Sequence, residues 1–292
     1  MYKIIYKLVY KIIKGAKIME MHPPYTITNA ILTLISKISI KLGKILHYHD
    51  MTAYPRLRRN NRIESIHASL AIEANSLTLG NVRDVIAGKT VVGPQREIIE
   101  VKNAYTAYGE LTTLNPYSLN ELLRLHRIMT SGLIKESGQL RSGEEGVFAD
   151  GKCIFMTPPA RLVPQLIENL FVWLQEEKES TQPLLLSSVF HYEFVFIHPF
   201  SDGNGRMARI MMNAELVSQR QSKVIIPNVF RDDYILALKK FSHQRDISTL
   251  VQVLDKMQQY AGRITCGSFE DAHDYLTLTN AYKEPDEARL IM

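Results

Sequence analysis

The sequence is short of the features that mark secreted, zinc-stabilised or membrane-spanning proteins. It has two cysteines in 292 residues, Cys153 and Cys266, which lie far apart and have no second thiol or imidazole at metal-binding spacing. A disulfide framework and a structural zinc site are therefore excluded as the basis of the fold. A bilayer span needs about 18 apolar residues in succession, and no such run occurs. Together these absences predict a cytoplasmic protein.

Acidic residues are absent from the start of the chain. The leader, defined here as residues 1–20, has no acidic residue before Glu20 but carries five lysines. Without these lysines, the 35 basic residues of the chain fall to 30 and balance its 30 acidic residues. The formal net charge of +5 is thus a property of the leader. It gives no reason to expect a nucleic-acid partner.

The leader repeats a Tyr-Lys-apolar-apolar unit, which predicts a basic amphipathic helix. Lysine at this spacing interrupts the apolar core that a signal peptide needs. Two interpretations stay open. The leader is an anchor on a membrane surface, or it is an extension outside the fold, since Met19 and Met21 directly precede a more ordinary sequence. We favour the extension, and we expect membrane contact only if the leader is an anchor.

Apolar residues recur at helical spacing along most of the body and predict a mostly α-helical protein. The predicted helices are approximately Thr28–Leu46, Arg62–Leu77, Leu79–Ala87, Pro94–Leu111, Ser118–Ser131, Leu162–Glu176, Leu184–Ile197, Asp232–Phe241 and Ile247–Ala261. Residues 138–157 break this pattern. There, Val147–Ala149 and Lys152–Met156 flank Asp150-Gly151, a dipeptide typical of tight hairpin turns, and predict a short β-hairpin.

The densest polar chemistry of the chain lies in HPFSDGNGRMAR, residues 198–209. His198 is the one group here that can take a proton near neutral pH. Gly203 and Gly205 permit positive φ and leave the amides around Asn204 open to an oxyanion. From Asn204 onward apolar residues recur at helical spacing. The loop therefore leads into a helix N-terminus, which favours anion binding.

Charged side chains in the same stretch complete a site for phosphate. Arg206 and Arg209 lie three residues apart on one helical face, within reach of the anion. Asp202 would repel a bare phosphate, but it suits a divalent cation, most naturally Mg²⁺, that bridges phosphate oxygens. Three further histidines have no second ligand at metal-binding spacing and are interpreted as packed or partly exposed helix residues: His67, His126 and His191.

The order of these groups, HPFxxGNGRxxR, resembles the signature of the Fic (Fic/Doc) family, and every fixed position of that signature is met. The resemblance covers roughly residues 23–263. It implies a Fic-fold helical bundle in which the short β-hairpin is a flap beside the active site. It also implies a protein adenylyltransferase, an enzyme that moves AMP from Mg-ATP to a Ser, Thr or Tyr hydroxyl of a target protein.

The resemblance assigns a role to each residue of the signature. His198 would be the catalytic base that deprotonates the target hydroxyl, and Asp202 would hold Mg²⁺. Phosphate would be bound by Gly203, Asn204, Gly205, Arg206 and Arg209. The target segment would pair with the edge of the flap, so that main-chain hydrogen bonds hold its hydroxyl in line with a phosphate.

A second stretch, Ser69–Asn75, resembles the inhibitory motif [S/T]xxxE[G/N] of the family class whose inhibitory helix is N-terminal in the same chain. The resemblance implies that Glu73 pairs with Arg209 and takes the place of a γ-phosphate contact, with Ser69 as the first residue of the motif. Ala74 departs from the motif, because it stands where the family has Gly or Asn. Alanine adopts the left-handed conformation that ends helices less easily than glycine does.

The motifs divide the chain into four parts. Residues 1–20 are the leader, and 21–115 form a helical region that carries the inhibitory helix. Residues 116–220 are the Fic core with the flap at 138–157 and the signature at 198–209, and 221–292 form a C-terminal helical region. The tail that begins at Cys266 has no assigned structure.

Alternatives to adenylyl transfer stay open. Some Fic relatives move UMP, phosphate or phosphocholine, because base recognition lies outside the signature. Glu73 could instead orient a water that removes AMP from a modified protein. A silent interaction module is a third class, but the intact His198, Asp202 and Arg209 argue against it, since a binding module needs no base. The expected partners are ATP and a target protein, and the sequence is also compatible with a homo-oligomer.

Overall fold

The structure is a computed structural model that describes residues 23, 25, 27–36, 55–149, 152–221, 223–244 and 247–266. Its helices are α1 (Pro55–Ile72), α2 (Leu79–Ile86), α3 (Gln95–Gly109), α4 (Leu119–Met129), α5 (Val163–Glu177), α6 (Pro183–Ile197), α7 (Asn204–Ser218), α8 (Arg231–Gln244) and α9 (Ser248–Cys266). A further helical segment spans 29–36. The leader, the Asp150-Gly151 turn and the tail beyond Cys266 lie outside the described residues.

Helices α6 and α7 form the centre of the core, and residues 198–203 connect them. Both are buried along most of their length, because α5 and α9 pack on α6 while α1 and α4 pack on α7. A helix that is surrounded in this way is apolar on nearly every face, as α6 is. None of the helices in the described part of the chain has the length and apolar character that a bilayer crossing needs.

Two short strands, β1 (Gly146–Ala149) and β2 (Lys152–Met156), pair in antiparallel fashion. Gly146 pairs with Met156 and Ala149 with Lys152, and the register shifts between Val147 and Phe148. Thr157 continues this pairing, since its hydroxyl donates to the carbonyl of Glu145 at 2.7 Å. A 3₁₀ turn, Ala160–Leu162, then leads into α5.

Helix α1 differs from the predicted range at both ends. It begins at Pro55 rather than Arg62, and proline suits a first helical turn because its φ is already helical and its missing N–H has no partner there. It ends at Ile72 rather than Leu77. The Asn75 N–H bonds the Leu70 carbonyl and the Ala74 N–H bonds the Ala71 carbonyl, which is the Schellman pattern.

The end of α1 is fixed by the residue that departs from the family motif. Ala74 takes the left-handed conformation with φ of 64°, the position that this pattern usually gives to glycine. Glu73 is consequently the last residue before the chain turns. The first turns of α3 hold the next two residues, because Asn75 Nδ2 donates to Glu100 at 2.9 Å and the Ser76 hydroxyl donates to Glu97 at 2.8 Å.

Helix α4 supports the α6–α7 connection through His126. The Nδ1 atom accepts the N–H of Gly138 at 2.9 Å, so Nε2 carries the ring proton and donates to the Asp202 carbonyl at 3.1 Å. The ring also stacks on Phe200, with centroids 3.6 Å apart. Burial lowers the pKa of His126 to about 4. The residue is therefore neutral and packed, and it also bonds the signature loop.

Replacing Ala74 by glycine should stabilise the protein. A left-handed alanine costs about 1–2 kcal/mol, whereas the added freedom of glycine in the unfolded chain costs about 0.4–1 kcal/mol. We expect Ala74→Gly to raise the free energy of unfolding by about 0.5–1 kcal/mol in urea denaturation. The matched control is Ala71→Gly inside α1, which should lower it by about 0.5–1 kcal/mol. A loss of equal size in both variants would show that Ala74 is unstrained.

His126 should make stability depend on pH. The pKa of His126 is about 4 in the folded protein and near 6.5 when unfolded, so the unfolded chain binds more protons between these values. Stability therefore falls as pH falls through this window. From pH 7 to pH 5, wild type should lose about 1–2 kcal/mol more than His126→Gln, measured by urea denaturation at both pH values. An identical loss in both proteins would mean that His126 protonates in the folded state.

Candidate active site

His198 directly follows α6 in the left-handed conformation, with φ of 52° and ψ of 61°. Non-glycine residues rarely adopt this conformation, and where they do it often marks a functional position. The Nδ1 atom lies 3.3 Å from the Val195 carbonyl, so it is the protonated nitrogen and Nε2 keeps the lone pair that can accept a proton. Burial, and next the positive charge of Arg141, lower the pKa of His198 and keep it in this basic form.

Asn204 closes the signature loop with its side chain. Its Nδ2 donates to the Phe200 carbonyl at 2.7 Å, and its Oδ1 accepts the Phe200 N–H at 2.9 Å. The sequence predicted a phosphate contact for Asn204, and what the structure shows is a buried amide that shapes the loop around such a site. Gly203 has a φ of 82° and directly precedes Asn204, the first residue of α7.

Gly205 lies in the first turn of α7, directly beneath the carboxylate of Glu73. A Cβ added at Gly205 would collide with Glu73 Oε1, and it would also lie 3.1 Å from Arg209 Nη1. Only glycine therefore allows a carboxylate to approach the helix at this point. The carboxylate of Glu73 thus occupies space at the N-terminus of α7, where the helix dipole favours a negative charge.

Arg209 is buried, with only 4% of its surface exposed, and is bound by Ser69 of α1 and by Glu73, which directly follows α1. Its Nη2 donates to Glu73 Oε1 at 2.7 Å and to the Ser69 carbonyl at 2.9 Å, while its Nε donates to the Ser69 hydroxyl at 2.9 Å. Burial is the largest single influence and lowers the pKa of Arg209, but the charge and hydrogen bond of Glu73, together with Tyr234 and Tyr108, outweigh it and raise the pKa overall. The last turn of α1 and the residue that directly follows it therefore supply both partners of this guanidinium.

Two tyrosines that the sequence did not single out complete the surroundings of Arg209. Tyr108 and Tyr234 are both buried, and each lies close enough to Arg209 for the guanidinium charge to act on its pKa. The Tyr234 hydroxyl also lies 2.9 Å from His191 Nε2, and burial lowers the pKa of His191 to about 3. His191 is therefore neutral and buried, as the sequence predicted for a packed histidine, and it also shares a hydrogen bond with Tyr234 beside Arg209. No local sequence pattern signals such a contact.

Asp202 and Arg206 are bound to each other. Arg206 Nη2 donates to Asp202 Oδ1 at 3.0 Å, and Arg96 Nη2 donates to Asp202 Oδ2 at 2.8 Å. Glu100 lies between the two arginines, with its Oε1 at 3.5 Å from each. Arg96 and Glu100 come from the first turns of α3 and were not predicted, because their contacts with the signature span about a hundred residues of sequence.

Asp202 fits a magnesium ion that draws its other ligands from elsewhere. Among the residues that the structure describes, no three His, Cys, Asp or Glu side chains are grouped as a metal cage. Mg²⁺ commonly uses one or two carboxylates and completes its shell with phosphate oxygens and water. The Asp202 side chain is 34% exposed and can take part in such a shell, provided that Arg96, which is 54% exposed, leaves Oδ2.

Arg141 is a further residue that the sequence did not indicate. It is buried, and its side chain donates to the carbonyls of His198 at 2.7 Å, Gly143 at 2.8 Å and Pro158 at 2.6 Å. An arginine in a polar, glycine-containing stretch normally predicts an exposed residue. Its burial therefore had no signal in the sequence.

Comparison with known proteins identifies the family that this chain resembles. The profile of the Fic/DOC family matches residues 116–216. A solved Fic family protein from Desulfovibrio desulfuricans G20 is 36% identical and has a TM-score of 0.74, with 88% of this chain and 86% of that chain covered. Residues 134–508 of Fic-1 from C. elegans share the fold, with a TM-score of 0.69, 23% identity and coverage of 86% and 73%.

Curated relatives carry the name protein adenylyltransferase. The fic-1 protein of Caenorhabditis briggsae is 26% identical over 262 residues, which are 82% of this chain and 50% of that protein. The Fic protein of Nematostella vectensis is 31% identical over 194 residues, 62% of this chain and 43% of that protein. The chain thus spans about half the length of the curated relatives it matches, or less.

The match to the D. desulfuricans protein extends over most of both chains. The described helices form the same mostly helical fold as that protein, and the family profile includes the whole signature loop and the first turns of α7. On these grounds this chain belongs to the Fic family.

Proposed function

We propose that this protein is an adenylyltransferase that moves AMP from ATP to a Ser, Thr or Tyr hydroxyl of a target protein. The observation that carries the proposal is the Glu73 carboxylate, which lies on the N-terminus of α7 and pairs with Arg209. A helix N-terminus with a buried arginine binds an anion, and in this chain a basic His198 follows the preceding helix. The names of the curated relatives support the same activity.

His198 is the base in this proposal. Its Nε2 accepts the proton of the target hydroxyl as the hydroxyl oxygen attacks the α-phosphorus of ATP. The bond from this phosphorus to the oxygen that bridges the α- and β-phosphates breaks, and pyrophosphate leaves. The lowered pKa of His198 suits the task, since a base must be unprotonated at neutral pH.

The signature loop and α7 bind the phosphates. The loop that Gly203, Asn204 and Gly205 shape presents backbone amides and the positive end of the helix dipole to the anion. Arg209, and Arg206 beside it, stabilise charge on the departing pyrophosphate. Mg²⁺, held by Asp202 together with phosphate oxygens, would supply positive charge that neutralises the phosphates.

Glu73 and Ser69 form the inhibitory contact. While Glu73 holds Arg209, a γ-phosphate cannot use the same guanidinium, so ATP is bound without its productive contact. The Glu73 side chain is 41% exposed and can leave without opening the core. This exposure is also the observation in favour of a second candidate function, in which Glu73 orients a water that removes AMP from a modified protein.

The hairpin of β1 and β2 is proposed as the flap along which the target segment pairs. Main-chain pairing would make the choice of target largely independent of side chains. Further expectations carried from the sequence are a cytoplasmic location and no nucleic-acid partner. Three further hypotheses need experiments of their own: self-association, membrane contact through the leader, and a donor other than ATP.

The proposed activity is tested by intact mass after incubation with Mg-ATP. The Glu73→Gly variant should gain one or more AMP units. It lacks the charge-assisted hydrogen bond from Arg209 to Glu73, which is worth roughly 1.5–3 kcal/mol, so the rate of transfer should rise about 10- to 100-fold. In the Glu73→Gly/His198→Ala variant the rate of transfer should be lower by about two to four orders of magnitude. If no variant gains mass, adenylyl transfer is contradicted. The same samples are then incubated with other nucleotide donors.

The role of Arg96 at Asp202 generates a separate prediction. Arg96→Ala in the Glu73→Gly background should lower the Mg²⁺ concentration needed for half-maximal transfer, because Asp202 Oδ2 loses its competing cation. A decrease of about threefold to tenfold corresponds to roughly 0.6–1.4 kcal/mol for an exposed ion pair. Arg83→Ala is the matched control, since Arg83 is similarly exposed and pairs with Glu64. If both variants need the same Mg²⁺ concentration, Arg96 does not compete with the metal for Asp202.

A further inference from the structure

We propose that Arg141 is a positioning residue that holds His198 in place and links it to both ends of the hairpin. The inference rests on the proposed function, because it concerns the base of that reaction. The observation that supports it is, however, separate from the one that supports the proposed function. It is a buried guanidinium whose described hydrogen bonds all end on backbone carbonyls of the signature loop and of the residues that flank the hairpin.

The contacts of Arg141 converge on two parts of the chain. Its Nε donates to the His198 carbonyl at 2.7 Å, and its Nη2 lies 3.4 Å from the Ile197 carbonyl. On the other side, Nη1 donates to Gly143 at 2.8 Å and Nη2 to Pro158 at 2.6 Å. Gly143 precedes β1 and Pro158 follows β2, so one side chain bridges the loop and the base of the hairpin.

These contacts satisfy carbonyls that a helix end leaves open. The last carbonyls of α6 have no partner within the helix, and Ile197 and His198 supply two of those bonded by Arg141. The backbone repeats the link, since the Arg141 N–H donates to the Pro199 carbonyl at 2.9 Å. Three successive carbonyls, from Ile197 to Pro199, are therefore held by one residue. That is the segment in which His198 adopts its left-handed conformation.

The cost of this arrangement argues that it has a geometric purpose. Arg141 is 3% exposed, and a buried cation is costly when carbonyl dipoles replace a carboxylate partner. Glu144 and Glu145 follow closely in sequence and attract the charge, but Glu144 Oε1 accepts the N–H of Ala160. Only a guanidinium offers five donors in one fixed plane, so lysine cannot bond the loop and both hairpin ends together.

The position of Arg141 has two consequences for the reaction. The side chain fixes the backbone that carries the imidazole, while Nδ1 of that imidazole bonds Val195. The same side chain ties this backbone to the hairpin, so that a hydroxyl on a segment paired with the hairpin is held in register with the base. The charge of Arg141 also adds to the burial that lowers the pKa of His198.

The test compares Arg141→Lys, which keeps the charge but loses the planar fork, with Arg141→Gln, which loses both. Arg161→Gln is the control, because Arg161 is an exposed arginine in the 3₁₀ turn close to Pro158. In the Glu73→Gly background we expect Arg141→Lys to lower kcat for self-modification roughly 10- to 100-fold, with KM for ATP changed less than about twofold. A retained kcat, or a loss confined to KM for ATP, would overturn the proposal.

A second measurement does not depend on transfer. The His198 imidazole is titrated by NMR and assigned with His198→Ala, and amide hydrogen exchange is followed at residues 197–202 and at the hairpin strands. Arg141→Gln should raise the pKa of His198, Arg141→Lys should leave it near the wild-type value, and both should exchange faster at both places. Melting temperatures confirm that each variant is folded.

The two measurements separate the two hypotheses. If the pKa and the exchange rates in folded Arg141→Gln equal those of wild type, Arg141 does not position the base, whatever the activity. If both change as expected while Glu73→Gly transfers no AMP, the proposed reaction is wrong and the positioning contact stands.

Discussion

The buried guanidinium of Arg209 requires an anion beside it, and the site is built around that requirement. Its charge lies in the core at α7, where water cannot solvate it, so a negative partner from the protein or from a ligand stabilises it. In this structure the partner is Glu73. A phosphate would satisfy the same need at the same helix end. A phosphate bound at this helix end would therefore compete with the Glu73 carboxylate for one cation.

A second set of charges ties this exchange to Asp202. Glu100 accepts a hydrogen bond from Asn75, just after Glu73, and lies 3.5 Å from Arg206, which in turn bonds Asp202. The end of α1 and the signature loop thus share a carboxylate on α3. A change that moves α1 away from Arg209 also disturbs the partner of Arg206. The contacts that connect the two places therefore run through this half-buried network as well as through the loop.

The sequence predicted the features that are local and missed those that join distant segments. Apolar spacing located α2 to α9, and the signature gave the loop that begins α7. The start of α1 was missed because an arginine-rich first turn has no apolar stripe. His126 was visible as a packed histidine, but its bonds to Gly138 and Asp202 depend on how α4 meets the loop. Contacts such as Arg96 with Asp202 arise only from tertiary packing, which local periodicity does not encode.

Backbone strain occurs at two residues beside the site. Ala74, next to Glu73, and His198 are two of the three non-glycine residues with positive φ among the described positions. At His198 the proposed base needs its imidazole, so glycine cannot substitute there and packing and hydrogen bonds must hold the conformation. At Ala74 no side chain is needed, and alanine leaves the last turn of α1 less stable than glycine would by about 1 kcal/mol.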